Sequence, residues 1–160
     1  MTVEPSYVAA GTRPWSKRAF DEVISGYPGE WYFISRPEEL TLEYLSQLAP
    51  RFIFFLHWSW KVPPEITDTH ECVAFHMTDV PYGRGGSPLQ NLILRGHKTT
   101  KLTALRMVEE LDAGPVYLKE TLSLEGNAQE IYARSAHMAA KLVRTIIESP
   151  FEPIPQSGEP

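Results

Sequence analysis

Three short apolar runs separated by amphipathic stretches fill the first third of the chain, and that alternation leaves few folds open. Residues 6–11, Trp31–Ile34 and Arg51–Leu56 each have the length and composition of a strand. Between the first two, Ala19, Phe20, Val23 and Ile24 fall on one helical face, with Ser16 placed as the N-cap of a helix reaching Ser25. Between the second and third, Leu40, Leu42, Tyr44, Leu45 and Leu48 repeat the pattern, with Ser35 and Glu38 spaced as a capping box. Gly26-Tyr27-Pro28-Gly29 and Pro50 supply the stops. Parallel strands need a crossover between them, usually a helix, and that is what these stretches provide. The expected class is α/β, with a mostly parallel central sheet and helices on both faces. Arg51–Leu56, the most hydrophobic run, is expected at the centre.

Further along, Cys72–Phe75, Lys101–Met107 and Val116–Leu122 read as strands, and Ser87-Pro88 opens a helix. Asn127 and Glu130 form a second capping box. The long helix behind it carries Ile131, Ala136, Ala139, Leu142, Val143, Ile146 and Ile147 on one stripe and closes at Pro150. At 160 residues the chain suits one domain, expected over residues 1–150; residues 151–160, with three prolines, are expected to be a tail or a truncated linker. A net charge of −5 with no Lys/Arg cluster argues against a nucleic-acid partner. A single cysteine, Cys72, excludes an internal disulfide framework. Neither a secretion leader nor an apolar run of membrane length is visible, so a cytoplasmic protein without a membrane partner is expected.

The chemistry concentrates between Glu71 and Gly114. A strand delivers His76 to its end, a loop Tyr82-Gly83-Arg84-Gly85-Gly86 follows, and a later strand leads to Asp112-Ala113-Gly114. An imidazole and a carboxylate from neighbouring strands make a proton-handling pair in an open α/β sheet. The glycine loop is neither a Walker A sequence nor a dinucleotide fingerprint. Trp58 and Trp60, beside prolines at a strand end, can wall a planar ring. His57, His70, His97 and His137 lack metal-ligand spacing, and no metal is expected.

In this order these residues resemble the formyltransferases that use 10-formyltetrahydrofolate. That family shows a strand ending in Asn-x-His, a Leu-Pro segment, an Arg-Gly-rich turn, a Pro-x-Gln helix start and a Leu-Asp-x-Gly loop. The chain has Ala74-Phe75-His76, Val80-Pro81, Arg84-Gly85-Gly86, Pro88-Leu89-Gln90 and Leu111-Asp112-Ala113-Gly114. The resemblance runs from about Arg51 to Pro150 and implies a Rossmann-like formyltransferase fold. It also implies 10-formyltetrahydrofolate as donor and a small-molecule amine as acceptor, preferably on a nucleotide-linked or other amino sugar; the oligomeric state stays open, with the aromatic surface of Tyr27–Tyr32 available for a homodimer. The implied catalytic residues are His76 and Asp112. Those for folate are His57, Trp58, Trp60, Val62, Met107 and Leu111, and those for the acceptor Arg13, Thr78, Tyr82, Arg84 and Gly85. Ala74 stands where the family has a catalytic asparagine, so Thr78, Ser59, a backbone N–H or His76 itself is expected to serve the oxyanion. Two rival readings remain: a binding protein that no longer transfers formyl groups, and a hydrolase releasing formate.

Overall fold

A computed structural model describes residues 3–148 and 150–158. The first two positions and Ser149 of the expected domain, and the last two of the expected tail, lie outside these. Six strands, β1 (Ser6–Ala10), β2 (Glu30–Ile34), β3 (Phe52–Phe55), β4 (Cys72–His76), β5 (Thr99–Arg106) and β6 (Val116–Ser123), form one sheet in the order β2-β1-β3-β4-β5-β6. The first four are parallel, as the strand–helix alternation requires, and β5 runs antiparallel to both of its neighbours, β4 and β6. The fold is Rossmann-like.

Each face of the sheet has its own core. On one side α1 (Pro14–Glu22), α4 (Pro88–Leu94) and α5 (Ala128–Glu148) cover Phe52, Phe54 and Val73 through Phe20, Leu89, Leu92 and the apolar stripe Ile131–Ile147. On the other, α2 (Leu42–Leu48) and α3 (Pro64–Thr69) place Leu45 and Ile66 over Val8, Ile53, Phe55 and Cys72. β3 is buried throughout, which explains its unbroken Phe-Ile-Phe-Phe. Side chains alternate across a strand, so Val73 and Phe75 face the α5 side while Cys72, Ala74 and His76 face the other.

Two caps differ from the sequence reading. Helix α1 begins at Pro14 with Arg13 as N-cap, and Ser16 lies inside it, 1% exposed with its hydroxyl unpartnered. Proline at the first helical position, free of any N–H to satisfy, sets the start. Helix α2 is capped by Thr41, whose side chain accepts from the Tyr44 N–H, and Ser35 and Glu38 precede it beside a short 3₁₀ turn, Pro37–Glu39. The second capping box forms as read: Asn127 Oδ1 accepts from Glu130 N–H at 2.8 Å and Glu130 returns the contact at 3.1 Å.

Tyr27, Trp31 and Tyr32 are half-buried. Trp31 stacks on Tyr7 at 4.7 Å, and the Tyr27 hydroxyl donates to the Ala140 carbonyl. After α5 the chain returns to the sheet, and Ile154 exchanges both backbone hydrogen bonds with Val116 at the start of β6.

Candidate active site

β4 ends at His76, 8% exposed on the face shared with Ala74. Its partner arrives indirectly. β5 runs antiparallel to β4, so its last residue, Arg106, pairs with Val73 rather than with His76. The loop of residues 107–115 then carries Asp112 back until its Oδ2 stands 3.5 Å from His76 Nδ1. Asp112 takes a left-handed backbone (φ 55°), which Asp tolerates better than most residues. Gly114 is required two positions on, because a Cβ there would fall 1.7 Å from the Arg106 carbonyl oxygen.

The glycine-rich loop holds both partners. His76 Nε2 lies 2.8 Å from the Gly83 carbonyl oxygen, a contact that needs the hydrogen on Nε2. In the neutral ring this leaves the lone pair on Nδ1, facing Asp112 Oδ2 across 3.5 Å, and in the imidazolium the Nδ1 proton faces that carboxylate. The carbonyl of Gly83, not Asp112, therefore fixes the tautomer. The Gly85 N–H donates to Asp112 Oδ2 at 3.0 Å and fixes the carboxylate. Gly83 and Gly85 both have positive φ (70° and 108°), so the loop can turn one residue's carbonyl and another's N–H onto adjacent targets.

Trp58, Val62 and Met107 gather on the same face, packed against the cluster that contains Phe55 and Cys72. Trp58 crosses Phe55 edge-on at 5.9 Å and Trp60 at 5.5 Å, and Trp60 is 48% exposed. The Trp58 Nε1–H is buried with no acceptor. Leu111 is 66% exposed on the loop before Asp112.

His57 departs from this group. Its left-handed backbone (φ 63°) turns it to the α5 side, where it meets Trp15 and Tyr132 edge-on. Burial of the ring, and then the Arg13 charge, lower its pKa. Arg13 lies over Trp15 and so belongs with His57 rather than with the pair. A cavity of about 40 Å³ beneath these residues is lined by Ser16, Phe75 and Met77. A second, about 80 Å³, is bounded by Thr78, Tyr82, Gly83, Arg84, Asn91 and Arg95. Neither cavity has His76 or Asp112 in its lining.

Two expected replacements for the missing amide are already spent. Thr78 is fully buried and donates to the Gly83 carbonyl. Thr12 gives its hydroxyl hydrogen to the His57 carbonyl, so in its 2.7 Å contact with Ser59 the serine is the donor. Tyr82 pairs with His97 and Arg95. Arg84 reaches out of the loop to Gln156, a residue that sequence reasoning assigned to a tail. Among the described residues no three His, Cys, Asp or Glu side chains converge as metal ligands, and no helix is long and apolar enough to cross a membrane.

Strand order, the His–Asp pair and the glycine loop match the arrangement expected of a formyltransferase-type domain. No family model matches the sequence. The methionyl-tRNA formyltransferase of a Nitratiruptor species is 32% identical over 118 residues, 72% of this chain and 39% of that protein. Among solved structures, the methionyl-tRNA formyltransferase from Clostridium thermocellum superposes with a TM-score of 0.89 at 38% identity, covering 97% of this chain and 70% of that one. HypX from Aquifex aeolicus in complex with tetrahydrofolic acid shares the fold at TM-score 0.75 and 22% identity, over 96% of this chain and 28% of its own. The chain belongs to the formyltransferase family. It spans about two-fifths of the length of the curated relative it matches.

Proposed function

We propose that this chain transfers a formyl group from 10-formyltetrahydrofolate to a primary amine. The observation that carries the reading is His76 Nδ1 standing 3.5 Å from Asp112 Oδ2, with the opposite ring nitrogen held by Gly83. The donor supplies a formyl carbon open to attack; the products are a formamide and tetrahydrofolate. His76 Nδ1 takes the proton that the amine loses as its nitrogen bonds to that carbon, and the Asp112 carboxylate stabilises the imidazolium so formed. The same proton is then available to the departing folate nitrogen, which closes the balance. The indole of Trp58, packed edge-on against Phe55 and Trp60, is the aromatic wall against which we place the folate ring.

The folate is assigned to the side of Trp58, Trp60, Val62, Met107 and Leu111, and the acceptor to the side of Thr78, Tyr82, Arg84 and Gly85. A small amine, on a nucleotide-linked or other amino sugar, is the acceptor we favour. The net charge of −5 supports this over tRNA, and Arg84 and Arg95 flank the cavity next to the pair, where an anionic substituent would sit. The test is tetrahydrofolate formation from 10-formyltetrahydrofolate across a panel of nucleotide-linked amino sugars and methionyl-tRNA. Turnover that needs a sugar amine supports the full reading, and turnover with methionyl-tRNA alone replaces the acceptor. Turnover without any amine makes the chain a hydrolase, and binding without turnover makes it a folate-binding relative.

A further inference from the structure

We propose that Gln156 is a positioning residue of the catalytic pair, a carboxamide clamp that locks the glycine-rich loop to the Asp112 loop. The inference deepens the formyl-transfer reading and rests on it. Gln156 Oε1 accepts two hydrogen bonds from the Arg84 guanidinium, from Nε at 3.1 Å and Nη2 at 2.8 Å. Its Nε2 donates to the carbonyls of Asp112 and Gly114, each at 2.8 Å. A primary amide has two donor hydrogens and two acceptor lone pairs, and all four are used.

The two loops joined in this way are those that set the pair. Arg84 lies between Gly83, whose carbonyl holds His76, and Gly85, whose N–H holds Asp112. Gln156 therefore ties the residue between the two tethers to the backbone of the carboxylate itself. Apolar burial contributes little at the bridge itself. Ile154, which bridges to Val116, leaves its side chain 71% exposed. The polar clamp, one backbone bridge and the edge-on packing of Phe151 against Tyr117 at 6.1 Å hold the segment.

No conservative replacement reproduces the clamp. Glutamate would still accept from Arg84 but would turn an oxygen toward two carbonyls that need donors. Gln156→Ala removes both halves. The experiment uses the full chain and measures kcat, the KM for 10-formyltetrahydrofolate, the melting temperature, and amide hydrogen exchange across residues 83–86 and 109–114. In both Gln156→Ala and Gln156→Glu, kcat is expected to fall about 10- to 100-fold with KM changed less than about twofold, the scale set by small misplacements of reacting groups. Exchange in both loops is expected to rise while the melting temperature holds.

Wild-type kcat in Gln156→Glu would overturn the proposal, because only the Arg84 half would then matter. A rate loss that merely follows a lowered melting temperature, or unchanged exchange in Gln156→Ala, would overturn it too. If the wild-type chain turns nothing over, the formyl-transfer reading fails on its own. Loop exchange then decides the clamp: faster in both variants sustains it, unchanged refutes it.

Discussion

Replacing Gly114 by alanine should damage catalysis more than folding, and the structure sets the scale. The added Cβ would lie 1.7 Å from the Arg106 carbonyl oxygen and 2.9 Å from its carbon, both backbone atoms at the end of β5. Arg106 cannot yield freely, since it is in register with Val73 of β4 and its N–H donates to the Pro115 carbonyl at 2.9 Å. The loop must therefore move by about 1 Å or more to restore ordinary contact, and Asp112 sits two residues away. A shift of that size against a His76–Asp112 separation of 3.5 Å should lower kcat by about 10²-fold. Overpacking of this kind costs roughly 1–3 kcal/mol, equivalent to a fall of roughly 2–12 °C in melting temperature for a domain of this size. Circular dichroism melts and amine-dependent tetrahydrofolate release measure the two effects. A Gly114→Ala protein with the wild-type rate and melt would refute the reasoning that ties loop placement to the pair.

His76→Ala should remove turnover, a loss of at least about 10²-fold, whereas Ala74→Asn should preserve or raise it by supplying the family's amide donor; initial rates decide both. Trp58→Phe should leave the melting temperature unchanged or higher, because the indole N–H has no protein partner, yet weaken tetrahydrofolate binding several-fold by calorimetry. Burial pushes the Cys72 thiol up to about 12 from 9.0. The unfolded chain releases that proton first, so stability should be intact below pH 9 and decline as pH rises from 9 toward 12; Cys72→Ala should flatten that part of the denaturation profile.

The sheet was legible wherever apolar runs and their punctuation agreed, as at Phe52–Phe55 and at the Asn127–Glu130 box. It was less legible where two local signals competed. Ser16 looks like an N-cap, but Pro14 at the first helical position outranks it and draws Ser16 into the core. Ser35–Glu38 and Thr41 both offer caps, and the helix takes the later one. Of the candidate site, the approach of His76 to Asp112 and the shared face of Trp58 and Met107 were foreseeable from motif and position. The direction of His57 was not, because a left-handed residue reverses which face a side chain joins. Nor was the tautomer-setting carbonyl of Gly83, since backbone groups carry no sequence signature. Gln156 stood in a proline-rich stretch with little apolar surface, and its worth lies wholly in four hydrogen bonds to residues 42 or more positions away.

The most direct measurement follows the formyl carbon itself. Protein, 10-formyltetrahydrofolate labelled in the formyl group, and an amino-sugar nucleotide are mixed, and the label is located by mass spectrometry. Label in a new formamide with the wild-type chain, and none with His76→Ala, is the expected result. Label recovered only as formate, or equal transfer by His76→Ala, would contradict the account.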